Sequence, residues 1–384
     1  MRACVVVNSR ANYGRIKSFM AAADVHPRIE LQVVVGASAV LPRFGDVRKI
    51  IERDGFTISA EMHSVLQGDE PVAMAKSAGL ATIEVAGILQ RLKPNVVIVV
   101  ADRYEQISTA IASSYMNVPV AHLQGGELTG SIDDSVRHAI TKLSHLHFPA
   151  TEKSRELILR MGEDPAKVHV VGCPSIDLVA STSGKISSQA LGSGVGGPVQ
   201  DGRPFVLVSQ HPVTTEYDRA YFQVDQTLEA LKRYRDVSGY EVVWLWPNVD
   251  AGADMVSKRL REFRENEDSQ GFHFFRNFSP EDYIRLMRSA KCIVGNSSSG
   301  IREASFLGLP AVNIGSRQNG RERAENVVDV SDNAQQIERA ISAQVKRGYY
   351  QSSNLYGDGN AGSRMAEIIT KSDSSISKKF YFVP

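Results

Sequence analysis

The feature that most constrains this sequence is a rhythm of short, fully apolar runs, each closed by polar residues and followed by a stretch with helical spacing. ACVVVN (3–8), LQVVVGA (31–37), NVVIVVA (95–101), VPVAHLQ (118–124) and KVHVVGC (167–173) carry it through the first part of the chain. Runs this short, without polar alternation, suit strands buried on both faces, as in a parallel sheet covered by crossover helices. The rhythm restarts with FVLVSQ (205–210), YEVVWLWP (240–247), CIVGN (292–296) and LPAVNIG (309–315). Two doubly wound, Rossmann-like α/β domains follow from this pattern, and 384 residues are comfortable for two.

Between the two series, residues 181–203 turn rich in Ser and Gly and read as a linker. The expected boundaries are therefore 1–180 for the first domain, 204–365 for the second, and 366–384 for a tail whose KKFYFVP cluster packs back on a domain. The linker contains a G-x-G-x-x-G match at 192–197, but no apolar run precedes it and no helical pattern follows, so it carries no dinucleotide site.

Lys plus Arg number 44 against 43 Asp plus Glu. That balance argues against a broad nucleic-acid or membrane surface and leaves room for a local basic pocket. Cys4, Cys173 and Cys292 are widely spaced and read as small buried hydrophobes of a reducing compartment. The apolar stretch after Arg2 is too short for a secretion signal, and no β-rich run approaches a membrane span, so the cytoplasm is the expected location.

Ligands of doubly wound sheets bind outside the carboxyl ends of the strands, and with two domains the expected site is the cleft between them. In GNSSSGIRE the small residues allow close backbone approach, Ser297 and Ser298 offer hydroxyls, and a helix start suits phosphate. Glu303 on that helix suits the two hydroxyls of a ribose; the plainer reading is a serine cap with a surface glutamate. Arg10, just past the first apolar run, suits a phosphate or an exposed turn. Asp102 suits a general base or an ion-pair partner of Arg103. The stretch after 118–124 gathers His122, Gln124, Glu127, Asp133, Asp134, Arg137 and His138, with glycines that permit a tight loop; helix capping equally accounts for the Asp pair. His145 and His147 lack further ligands at metal-site spacing, so no metal is expected. His211, at the end of 205–210, suits acid/base work near neutral pH or a structural role.

Taken in order, SRANYG, ADRYE, GGELTGSIDDSVRHAITKLSH, GCPSID, QHPVTT, WPNVDAG, GNSSSGIRE, GSRQNGRE and LYGDGNA resemble the hydrolysing UDP-N-acetylglucosamine 2-epimerases. These include bacterial sialic-acid pathway enzymes and the epimerase half of the animal bifunctional epimerase/kinase. The resemblance implies a GT-B-like fold, a homo-oligomer, no cofactor, and a UDP-sugar substrate contacted by both domains. It carries UDP binding onto Arg10, Arg103, His211, Asn248, Ser297, Ser298, Glu303 and Arg317. Acid/base roles fall on Asp102, Asp133 and His211, with Glu127 nearby. The implied reaction is anti elimination of UDP, followed by hydration of the glucal to free N-acetylmannosamine. One departure stands out: many relatives have Glu where this chain has Gln124, and an amide cannot exchange a proton at neutral pH. Either Glu127 or Asp133 takes the duty, or the substrate is a modified sugar, as in a variant subfamily acting on a diacetamido-trideoxy sugar of the legionaminic acid type. A non-hydrolysing epimerase, a GT-B glycosyltransferase and a non-catalytic nucleotide-sugar binder are the competing readings.

Overall fold

The computed structural model describes residues 1–42, 46–66, 71–130, 132–199, 202–247, 252–276, 278–372 and 375–382, with residue 132 described by its backbone alone. It forms two compact units: Met1–Leu128, Ile132–Ala180 and Tyr356–Pro384 in one, Thr129–Ser131 and Ser181–Leu355 in the other.

The first unit is built on a parallel sheet of β1 (Arg2–Val7), β2 (Glu30–Gly36), β3 (Ile58–Met62), β4 (Val96–Val100), β5 (Val120–Leu123) and β6 (Leu146–Phe148). Their order is β3-β2-β1-β4-β5-β6, with the direction of winding reversing between β1 and β4. The apolar runs are continuous because alternate residues feed two cores. Ala3, Val5 and Val7 enter one cluster with Val33, Val35, Ile98 and Val100, while Cys4 and Val6 enter the other with Val34, Val97 and Val99. The second unit repeats the topology with β7 (Phe205–Ser209), β8 (Glu241–Leu245), β9 (Phe272–Phe275), β10 (Ile293–Gly295), β11 (Ala311–Ile314) and β12 (Val327–Val330). Its order is β12-β11-β10-β7-β8-β9.

The strands that pattern misses lie toward the sheet margins. β6 and β9 each carry a buried histidine, His147 and His273, that interrupts the apolar signal. β3 and β12 are edge strands with partly exposed residues. Conversely, 167–173 is not a strand: Val168 makes a single bridge to His147, and the chain then turns so that the Cys173 N–H donates to Tyr356 O at 2.7 Å.

The segment expected to be a plain linker is partly ordered against the second unit. It holds the helix Ser188–Leu191, and Val195 bridges Phe274 in β9. The glycines there answer to contact: a Cβ on Gly194 would meet the Phe275 ring at 2.6 Å, and one on Gly196 would meet Phe272 O at 2.2 Å. The second unit also ends at Leu355, earlier than the expected 365. Asp177 is the physical reason. Its carboxylate accepts the N–H groups of Ala361 (3.0 Å) and Gly362 (2.7 Å) at the start of the helix Ala361–Lys371, and the Ser18 hydroxyl at 2.9 Å. Met365, Ala366 and Ile369 of that helix pack with Phe19, Met20 and Ala23 in the first unit's core.

The helix Pro71–Leu92 is long and apolar enough by composition to cross a membrane. Its Ala81, Val85, Ile88 and Leu89 belong to the core of the first unit, and Val72, Leu80 and Ile83 lie exposed on its outer side.

The tail docks on the first unit. Lys378 and Lys142 both pair with Glu163, at 2.8 and 2.6 Å, and His147 Nε2 lies 3.0 Å from the same carboxylate. Burial by itself would raise the Glu163 pKa, but the hydrogen bonds from His147, Lys142 and Lys378 outweigh it and bring it from 4.5 to about 2. A carboxylate depressed in this way stabilises the fold fully above its unfolded value and loses that contribution as pH falls toward the folded one. In urea titrations at a series of pH values, the stability margin of the wild type over Glu163→Gln is expected to be flat above about pH 5 and to shrink on acidification.

Candidate functional site

In the first unit the site is built at the carboxyl ends of β4 and β5. Beyond β4, Ala101 adopts a left-handed backbone with φ +63, a conformation costly for a residue with a Cβ. His122 on β5, fully buried, holds it there. Its Nε2 lies 2.9 Å from Ala101 O and its Nδ1 3.1 Å from Thr141 Oγ1. A carbonyl only accepts, so Nε2 carries the proton, and Nδ1 faces a threonine hydroxyl that donates to Arg137 O at 3.1 Å. Burial holds the His122 pKa down at about 3, which keeps the ring neutral and structural.

Asp102 follows and meets Arg137, whose guanidinium is fully buried on the helix Ile132–Leu143. Nη2 donates to Asp102 Oδ2, while Nη1 donates to Asp134 Oδ1 at 2.7 Å and to Glu127 O at 2.6 Å. One side chain thus ties the loop after β4, the loop after β5 and the helix that carries Asp133 half-buried in its first turn. Glu127 itself is buried. Arg103 donates to buried Glu105, from Nε at 3.0 Å and Nη2 at 3.1 Å, while Asp102 meets Arg137.

Gln124 also has a left-handed backbone (φ +64) and is fully buried, its Nε2 donating to Cys173 Sγ at 2.9 Å. The following Gly126, φ +75, admits no side chain, since a Cβ would lie 2.1 Å from Ser154 O. Arg10 begins the short helix Arg10–Gly14 after β1, with the Ser9 hydroxyl accepting the Asn12 N–H at 3.1 Å.

In the second unit Asn296, directly after β10, is the organiser. Its amide clamps the backbone of His211, accepting from His211 N–H at 2.8 Å and donating to His211 O at 2.8 Å. Its own carbonyl accepts from Arg317 Nη1 (3.1 Å) and Gln318 Nε2 (2.9 Å). Glu216 adds a latch, accepting from Ser316 Oγ at 2.5 Å and from Gln223 Nε2 at 2.7 Å. His211, Ser297 and Arg317 are therefore brought to one sheet end. Ser297 caps the single turn Ser298–Gly300, and Glu303 opens the helix Glu303–Leu307, a shorter element than the sequence pattern suggests. Glu303 Oε2 is buried with no hydrogen-bond partner, an arrangement costly unless a donor arrives. Asn248 lies outside the described residues.

Sequence reasoning named Arg137 only as one member of a polar stretch, without its organising role, and did not name Asn296. The Asp134–Arg137 pair at helical i, i+3 spacing is a visible signal for the first. Asn296 has only its place after an apolar strand to mark it.

Residues 21–370 match the family described as UDP-N-acetylglucosamine 2-epimerase. The chain is 30% identical to a hydrolysing UDP-N,N'-diacetylbacillosamine 2-epimerase of Legionella pneumophila, over 95% of this chain and 94% of that protein. It is 28% identical to a UDP-N-acetylglucosamine 2-epimerase of Neisseria meningitidis, over 99% and 98% of the two chains. It is similar in fold to the crystal structure of UDP-GlcNAc 2-epimerase from Neisseria meningitidis bound to UDP-GlcNAc, with a TM-score of 0.78, 17% identity and coverage of 97% and 100%. The S. aureus MnaA–UDP co-structure gives a TM-score of 0.78 at 16% identity, covering 100% of both chains. The fold is the two-domain, GT-B-like α/β architecture.

Arg137→Met removes a buried cation that Asp102 and the half-buried Asp134 share. The variant is expected to lose about 3–5 kcal/mol in chemical denaturation, the usual cost of breaking a buried pair from one side.

Proposed function

We propose, from the premise that the chain belongs to the UDP-N-acetylglucosamine 2-epimerase family, that it is a hydrolysing epimerase releasing a free 2-epimeric N-acetylated sugar from its UDP derivative. The observation that carries the reading is the assembly around Arg137, which holds Asp102 at a strand end beside Glu127 and the helix of Asp133. Carboxylates in unlike settings, one bound to a buried arginine and one half-exposed, suit a reaction that takes a proton and later returns one.

In this reading the first unit supplies the carboxylates for acid/base work, and both units contribute groups that read the nucleotide. A carboxylate takes the C2 proton as the C1–O bond breaks and its electron pair leaves with UDP, forming a glucal. Water then adds its hydroxyl to C1, and C2 receives a proton on the opposite face. Asp102 and Asp133 are the leading acid/base groups, and Glu127 and His211 are further candidates for that role. Arg10, Arg103 and Arg317 meet the departing diphosphate charge, where preorganised donors contribute most. Ser297 and Ser298 add donors, and Glu303 Oε2 is an unfilled acceptor suited to ribose hydroxyls. The bonds made and broken balance without a redox cofactor or metal. Gln124, buried with its amide on Cys173, does not exchange protons. Its place there, together with the diacetylbacillosamine relative, supports a diacetamido UDP-sugar as an alternative substrate to UDP-N-acetylglucosamine. The exposed Val72, Leu80 and Ile83 of the helix Pro71–Leu92 support a homo-oligomer in which such faces are covered. The reaction belongs in the cytoplasm.

The test is proton NMR of the protein with UDP-N-acetylglucosamine, then with UDP-diacetamido sugars, in deuterated water. Free UDP with a 2-epimer deuterated at C2 is the expected result. A UDP-linked epimer would make the enzyme non-hydrolysing, and UDP binding without turnover of any of these sugars would make it a nucleotide-sugar binder. Asp102→Asn is expected to lower kcat at least about 100-fold while calorimetry shows UDP affinity within a few-fold of the wild type.

A further inference from the structure

We propose that the C-terminal strap around Lys378 is a positioning element for the helix Ile132–Leu143, and that Lys378 is a positioning residue of the reaction. The proposal rests on the reading above in which Asp102 and Asp133 move protons.

A helix leaves its last carbonyls without internal partners, and a cation there both satisfies them and complements the dipole. At the end of Ile132–Leu143 that cation comes from the far end of the sequence. Lys378 Nζ donates to Lys142 O at 2.8 Å and to Ser144 O at 2.5 Å, and pairs with Glu163 Oε2 at 2.8 Å. Glu163 in turn binds Lys142, on the helix itself, and His147 on β6. The strap is seated by further contacts. Tyr381 N–H donates to Gly162 O at 3.0 Å, His145 Nε2 lies 3.2 Å from Ile376 O, and the Lys142 ammonium stands 5.1 Å from the centre of the Phe380 ring. Gly162 is shaped for this ring, since a Cβ there would lie 2.4 Å from it.

The other end of the same helix carries Asp133 and Asp134, and its middle carries Arg137, which holds Asp102. A helix is stiff along its axis, so a cap that fixes its carboxyl end also fixes the pitch and rotation of its first turns. The groups facing Lys378 are Glu163, Lys142, His145 and His147. Desolvation, relieved in part by Glu163, lowers the Lys378 pKa. Its side chain is about three-quarters covered, 26% exposed, and the helix carbonyls account for its position.

The experiment compares full-length wild type with Lys378→Met, Lys378→Arg and Phe380→Ala. It measures steady-state turnover, UDP affinity by calorimetry, and hydrogen exchange of the amides at 134–139 with UDP bound. The expected result is a kcat about tenfold lower for Lys378→Met, with KM and UDP affinity within twofold and faster exchange in the helix; displacements far from the chemistry act on kcat in this way. Lys378→Arg, which keeps the cap, should recover most of the rate, and Phe380→Ala should fall between. A Lys378→Met kcat within twofold of wild type, or losses that Lys378→Arg does not relieve, would overturn the proposal. If Lys378→Met fails to fold, Phe380→Ala against wild type decides it by the same readouts. If the wild type turns over no UDP-sugar, the functional reading fails by itself, and exchange decides the strap: unchanged exchange in every variant would overturn it.

Discussion

Taking a guanidinium out of water costs several kcal/mol, and a protein sustains it only where the geometry of the replacement partners is good. Arg137 meets that condition with two carboxylates and a backbone carbonyl drawn from three separate segments. The loop after β4, the loop after β5 and the helix that follows are consequently parts of one constellation. Remove the arginine and Asp102, Asp134 and the Glu127 carbonyl lose the donor they share. The remaining features of this half of the molecule support that arrangement: the left-handed Ala101 braced by neutral His122, and the Gly126 turn pressed against Ser154.

The second unit solves a similar problem without charge. Asn296 spends both ends of its amide on the backbone of His211 and offers its own carbonyl to Arg317 and Gln318. A primary amide is suited to this because it donates and accepts from one rigid plane. Close approach around it is enforced by Gly295, where φ is +127 and a Cβ would fall 2.3 Å from Ser209 O. Each unit fixes polar groups at the carboxyl ends of its parallel strands through a buried organiser.

The parts of the fold legible in the sequence are those whose physics is local. Central strands buried on both faces are apolar at most positions, so β1, β2, β4, β5, β7, β8, β10 and β11 announce themselves. Edge strands such as β3 and β12 are half solvated and lose that signal. Within β6 and β9, a histidine satisfied by a distant partner breaks it. The run at 167–173 has strand composition but lies next to a Tyr356 backbone that takes its hydrogen bond instead, a competition no local window reveals.

From the amino acids alone came two doubly wound units, the strand ends at which chemistry gathers, and most of the residues placed there, because burial on both faces and turn chemistry are written in neighbouring positions. Pairing was decided by the tertiary structure. Asp102 meets Arg137, Arg103 donates to Glu105, Asp177 draws the helix Ala361–Lys371 onto the first unit, and Lys378 reaches the end of a helix more than half the chain away. Hydrogen bonds and ion pairs depend on distances of a few ångströms between residues far apart in sequence. Only the folded backbone sets those distances.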